Sequence, residues 1–379
     1  MAAAAFALYS DALIAPLLPA HPPTPKATPG SSKGNALRTA CLLSYLLPVW
    51  CAHTAPFGSP QPWSTRSLLS MTAFARPVPV PTRSSSSTDM PLAVFYGHHK
   101  CATGWITRIF REMSFHLGCR HDIVHLPRHF APYDSIAAKV KAENIDVLIY
   151  TNADIDQAQQ LPPSRGFHVV RDPRDVLVSA YFSHKHSHPS DKWPELEPHR
   201  KRLQTLSLED GLAAEMAFSH DVFAAMDAWD YEHPHVMELH MEDLTANPAR
   251  GFRQIAQFLG WLDAEASYSV GYYALLRMNR LHYKGHARVP GSWPLLPIPR
   301  RRLSTLPSDT LQRILDAHRF DRLAGGRTKG QENVHSHYRK GTPGDWRNHF
   351  TPALATRFKN EWGHLLVKLG YEPNLNWEV

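Results

Sequence analysis

Cysteine is scarce in this 379-residue chain: four residues, Cys41, Cys51, Cys101 and Cys119, none in a CxxC pair. That spacing supports neither a cysteine metal cluster nor a disulfide framework, and favours a reducing compartment. Long apolar runs are missing too. The stretch Ala2–Leu18 holds Asp11 and Pro16, and Cys41–Ala52 is short and holds Pro48. Neither reaches the ~20 uninterrupted apolar residues of a membrane-spanning helix, so membrane anchoring is not expected. Acids are nearly absent from residues 1–89, which contain only Asp11 and Asp89 beside 13 of the 32 prolines, 12 serines and six Lys/Arg. The formal charge of +7 is therefore concentrated in that leader, and the remaining +3 is too mild to imply nucleic acid.

Residues 1–89 read as a disordered, low-complexity leader or an organelle transit segment, with a cleaved secretory signal or Golgi anchor as the alternative. The expected location is intracellular: cytoplasm, or plastid or mitochondrion if the leader is a transit segment. Residues 90–379 form the domain proper. There, short apolar strands alternate with helical periodicity, which predicts an α/β fold with a central parallel sheet flanked by helices. The candidate strands are Ala93–Gly97, Asp122–Leu126, Asp146–Tyr150, Phe167–Val170 and Val236–His240. Ile106, Ile109, Phe110, Met113 and Leu117 form one helical stripe, and Phe252, Ile255, Phe258 and Leu259 another. Pro290–Arg302 reads as a surface loop able to act as a flap.

Two strand-to-helix turns carry the chemistry. After the first strand comes His98-His99-Lys100-Cys101-Ala102-Thr103-Gly104-Trp105. A strand turning into a helix through small residues offers free backbone N–H groups to an anion, and Lys100 adds a full charge. The turn lacks the GxxxxGK[ST] spacing of an ordinary nucleoside triphosphatase. The second turn is Phe167-His168-Val169-Val170-Arg171-Asp172-Pro173-Arg174-Asp175-Val176-Leu177-Val178-Ser179. Here Asp172 is placed to cap, Pro173 fits the first helical position, and Arg171 with Ser179 suits a terminal phosphate.

Together these segments resemble the cytosolic-type sulfotransferases that use 3′-phosphoadenylyl sulfate (PAPS). The family's Lys-Ser-Gly-Thr-Thr-Trp turn corresponds to Lys100-Cys101-Ala102-Thr103-Gly104-Trp105, and its Arg-x-Pro-x-Asp-x-x-x-Ser segment to Arg171, Pro173, Asp175 and Ser179. Its Arg-Lys-Gly-x-x-Gly-Asp-Trp segment corresponds to Arg339-Lys340-Gly341-Thr342-Pro343-Gly344-Asp345-Trp346, preceded by Tyr338. The resemblance, which extends from about Pro91 to Phe350, implies a P-loop-like fold with the 5′-phosphosulfate over residues 100–105. It implies a 3′-phosphate held by Arg171, Ser179, Arg339 and Lys340, a small-molecule acceptor with a hydroxyl or amine, and Lys100 acting on the departing phosphate oxygen.

The family's general base is a His in a Lys-Thr-His segment, and the matching stretch here is Tyr150-Thr151-Asn152. Two other groups are candidates for that role: His125, in a neighbourhood with His121, Asp122 and His129, and Asp154 at the end of a strand. Gly104 also replaces a family hydroxyl. Rival readings are a weakly catalytic nucleotide-binding protein of this fold and an ATP-dependent kinase. The chain has 24 histidines. His184-Lys185-His186-Ser187-His188 alternates like a zinc-binding tract, but it lies before Pro189 without a cysteine and reads as a solvated basic turn; no metal is expected. Oligomeric state is not legible. A chain beginning at Met90 is expected to fold and melt cooperatively as the full chain does, because composition changes at residue 89 and the first strand begins three residues later. Calorimetric melting of the shortened chain checks this, and loss of soluble, cooperatively melting protein would contradict it.

Overall fold

A computed structural model describes residues 91–191, 193–263, 265, 267–278, 303 and 305–379. The leader and Pro290–Arg302 lie outside the described residues.

In chain order the elements are β1 (Leu92–Gly97), α1 (Thr103–Leu117), β2 (His121–Val124), α2 (Ile136–Glu143), β3 (Val147–Tyr150), α3 (Ile155–Gln159), β4 (Ser164–Val170) and α4 (Pro173–His186). There follow α5 (Leu196–Thr205), α6 (Leu208–Phe218), α7 (His220–Ala228), β5 (Val236–His240), α8 (Met241–Ala246) and α9 (Pro248–Phe258). The last part holds β6 (Leu262–Asp263), a helical segment α10 at 270–278, β7 (Leu306–Pro307), α11 (Ser308–Ala317), α12 (Phe320–Leu323) and α13 (Pro352–Lys368). Among the described residues no helix is long and apolar enough to cross a membrane.

The five predicted strands form one sheet in the order β2-β3-β1-β4-β5, with every pairing parallel. Strand β1 is buried on both faces, which is why it reads as an uninterrupted apolar run rather than an alternating one. Ala93 and Phe95 face a core with Ile106, Ile109, Phe110, Met113 and Leu117 of α1 and with Phe252 and Ile255 of α9. Leu92, Val94 and Tyr96 face the other side with Ile136 and Val140 of α2. A third cluster joins Val176, Leu177 and Tyr181 of α4 to Leu212 and Met216 of α6 and to Phe358, Leu365 and Leu366 of α13. The second predicted strand stops at Val124, two residues early, because Pro127 opens a short 3-10 turn whose N-cap is Leu126.

The register positions the site. Gly97 pairs with Val169, so the chain leaves β1 and β4 at the same sheet edge and the two turns that follow meet there. Gly97 itself tolerates no side chain: a Cβ would come within 2.7 Å of Thr103 Cγ2 and 2.8 Å of the Phe95 ring. Replacing it forces the first turn of α1 away from the sheet.

Candidate active site

The turn between β1 and α1 is held tightly. Cys101 N donates to His98 O at 3.1 Å, and Lys100 and Ala102 adopt left-handed conformations, with φ of 66° and 57°. Such conformations cost non-glycine residues about 1 kcal/mol or more each, and they gather where the surroundings impose them. Ala102 is the N-cap of α1 and has no side-chain acceptor to offer, so the positive end of this 15-residue helix faces the space above the turn. The Cys101 side chain is buried in the core beneath, its thiol pushed up to about 12 by burial, so this residue contributes backbone alone.

Arg171 leaves the end of β4 and donates through Nη1 to Lys100 O at 3.2 Å, which ties the two turns together. Its Nη2 stands 4.0 Å from Asp175, and its buried Nε has no protein acceptor, a donor left for a ligand. As the sequence suggests, Asp172 caps α4 by accepting from Arg174 N at 2.9 Å, with Pro173 at the first position. Asp175 has a further role that its place near the helix start did not reveal. Its carboxylate accepts from Gly344 N at 2.6 Å and Trp346 N at 3.0 Å, clamping the C-terminal motif onto α4.

That clamp brings Tyr338, Arg339, Lys340 and Gly341 over the cleft. Arg339 lies 4.5 Å from the Phe182 ring centroid and pairs with Asp345 and Glu332, and Lys340 pairs with Asp345. Arg327, which no motif singled out, donates to the carbonyls of Tyr338 (2.6 Å) and Arg339 (2.9 Å) and so fixes the loop's backbone. Gly341 needs to be glycine on two counts: φ is +71°, and a Cβ would sit 2.5 Å from the Phe320 ring.

The result is a cleft of about 640 Å³ lined by Lys100, Ala102, Thr103, Gly104 and Trp105, by Arg171 and Ser179, and by the 338–343 loop. All three motifs, separated by up to 240 residues of sequence, thus face one space. Trp105 is anchored rather than free, with Nε1 donating to His318 O at 2.9 Å and its ring edge-on to Phe252. Burial lowers Lys100 to about 7, and Arg171 reinforces the shift.

The two candidate bases part company. His125 lines the cleft, with Nδ1 2.7 Å from Thr151 Oγ1, and burial, aided by His129 and Arg128, lowers its pKa to about 3. Asp154 is exposed and caps α3, accepting from Gln157 N at 3.0 Å, and is not among the cleft's residues. The reading of His184 to His188 as a solvated turn also fails. Helix α4 continues through His186, and both His184 and His188 are buried. Asp175→Ala, which strands two amides, is expected to cost about 2 kcal/mol or more. It should also open the 328–343 segment to protease. Denaturant midpoints and limited proteolysis check this, and an unchanged midpoint with an intact loop would contradict it.

Residues 162–268 match the family model described as a sulfotransferase domain. Mouse sulfotransferase SULT7A1 complexed with PAP is similar over 73% of this chain and 85% of its own, at 13% identity and a TM-score of 0.37. Retinol dehydratase in complex with androsterone and inactive cofactor PAP covers 82% and 87% at the same identity and TM-score. A sulfotransferase from Alicyclobacillus acidocaldarius covers 54% and 98%, at 15% identity and a TM-score of 0.27. No curated protein matches the sequence. The matched segment, residues 162–268, spans the second motif and β5, and the first and third motifs meet that segment in one cleft, so what the chain shows is a likeness to the sulfotransferase domain over that segment.

Proposed function

We propose that the cleft takes PAPS as sulfuryl donor and a small molecule bearing a hydroxyl or amine as acceptor. The observation that carries this is the convergence of Lys100, Arg171 and Arg339 on one cleft, where cations oppose one another unless an anion with separated charges lies between them. The phosphosulfate rests on residues 100–105, and the 3′-phosphate on Arg171, Ser179, Arg339 and Lys340. The acceptor oxygen or nitrogen attacks sulfur as the bond from sulfur to the phosphate oxygen breaks. The products are the sulfated acceptor and adenosine 3′,5′-bisphosphate. His125, oriented by Thr151, takes the acceptor's proton, and Lys100 stabilises charge on the departing oxygen. Positioning and electrostatics supply most of the acceleration.

A second reading, nucleotide binding with little transfer, is favoured by the low basicity of His125 and by the exposed position of Asp154. Transfer of label from ³⁵S-PAPS to an acceptor library separates the two. Labelled acceptor supports transfer, and bisphosphate binding without label in any acceptor supports the second reading.

Lys100 is expected to matter more to turnover than to donor affinity, because the charge it meets grows in the transition state. Lys100→Met should lower kcat by about 10²-fold or more. Near-normal turnover at saturating PAPS would contradict this role. A pH dependence follows as well. A lysine lowered to about 7 is mostly neutral above that pH, and a bound polyanion favours its charged form. Bisphosphate binding at pH 8 should therefore take up a proton, with affinity falling by up to about tenfold per pH unit above 7. Calorimetry in buffers of different ionisation heat reads the uptake, which Lys100→Met should abolish.

A further inference from the structure

Behind the turn that carries Lys100 lies a group of imidazoles that the sulfuryl-transfer account does not use. His99 Nε2 stands 3.1 Å from His184 Nε2, and the ligating atoms of His99, His184 and His188 all lie within 4.8 Å of one another. His184 and His188 are buried, while His99 also lines the cleft. Their tautomers follow from what the other ring nitrogens meet. His184 Nδ1 is 2.9 Å from Glu215 Oε1, and His188 Nδ1 is 2.8 Å from Pro189 O. A carboxylate and a carbonyl only accept, so each Nδ1 carries the proton and each Nε2 carries a lone pair.

We infer that His99, His184 and His188 form a site for a borderline divalent transition-metal ion of the zinc type. Metal-bound histidines characteristically give the other ring N–H to a carboxylate or a backbone carbonyl, the arrangement found at His184 and His188. Two nitrogens bound to tetrahedral zinc at about 2.0–2.1 Å are separated by about 3.3 Å, near the spacing of His99 and His184. Three imidazoles without oxygen ligands select zinc, cobalt, nickel or copper over magnesium or calcium. Glu215 is fixed in turn by His199 Nε2 at 2.8 Å and Ser219 Oγ at 2.7 Å. Its carboxylate oxygens are thereby committed, and it acts as the orienting group rather than as a ligand. Trp193 closes the apolar side, with its ring centroid 5.1 Å from His184 and 5.2 Å from His188. The excess positive charge beside Lys100 is offset by buried Glu215, whose charge is felt at Lys100 already.

The full chain, stripped with chelator and titrated with Co²⁺, reads this site without reference to the sulfuryl donor. One equivalent per chain should give the strong visible absorption of four-coordinate Co²⁺, and Zn²⁺ should displace it. His184→Gln and His188→Gln should each weaken the metal at least about 100-fold. Glu215→Gln, which removes the orienting carboxylate, should weaken it about 10- to 100-fold. His186→Ala, on the exposed side of the same helix, should bind as the parent does. Circular dichroism establishes that each variant is folded. Absence of the four-coordinate spectrum in the parent chain overturns the site, as does an undiminished equivalent in folded His188→Gln or His184→Gln.

Discussion

Lys100, Arg171 and Arg339 occupy one sheltered cleft, and in a medium of low effective dielectric three like charges repel strongly unless something negative lies among them. Lys100 registers this: burial and the nearby guanidiniums bring its pKa down to about 7. The protein's own acids relieve the other two. Asp175 stands 4.0 Å from Arg171, and Asp345 and Glu332 pair with Arg339. None of these carboxylates is paired with Lys100. The charge that a bound anion most needs to meet is therefore the one the fold leaves least compensated.

Holding such a cleft together without a ligand requires anchoring elsewhere, and the structure concentrates it at the start of α4. Asp172 caps the helix and binds Arg174 through both oxygens, at 3.0 and 2.8 Å. The Arg174 guanidinium lies 3.8 Å from the Trp346 ring and 4.6 Å from that of Trp377, and donates to Glu372. At the next position, Asp175 takes the amides of Gly344 and Trp346. The Asp-Pro-Arg-Asp segment thus does mechanical work for the C-terminal motif in addition to starting a helix. A planar, always charged guanidinium can both stack and bridge, which lysine at position 174 could not reproduce.

Strands and the helices with apolar stripes were legible because burial on a pleated or helical surface imposes periodicity, as Leu92–Gly97 and Ile106–Leu117 show. The residues that line the cleft were legible as motifs, whose order along the chain is kept even where residues such as Gly104 depart from the resembled pattern. What was not legible depends on distance in sequence rather than local pattern. Arg327 acts through carbonyls eleven and twelve residues away, and a backbone partner leaves no trace in residue type. Asp154 looked catalytic from its place after a strand, yet a carboxylate at that place satisfies helix amides equally well. His184 and His188 looked solvated because Pro189 suggested a loop. Helix α4 instead sets His184 beside His99, 85 residues earlier, and the turn after it, closed by His188 N on Ser183 O at 2.7 Å, brings His188 to the same place.

The cleft is expected to hold an anion with two separated charged groups, one over the Lys100 turn and one at Arg171 and Arg339. Comparing adenosine 3′,5′-bisphosphate with AMP by calorimetry tests it most directly, since the two differ only in the 3′-phosphate. Charge-assisted hydrogen bonds are worth about 1.5–3 kcal/mol each, so the bisphosphate should bind at least about tenfold tighter. Arg171→Ala should remove most of that difference. Equal affinity for the two nucleotides in the parent chain would contradict the account.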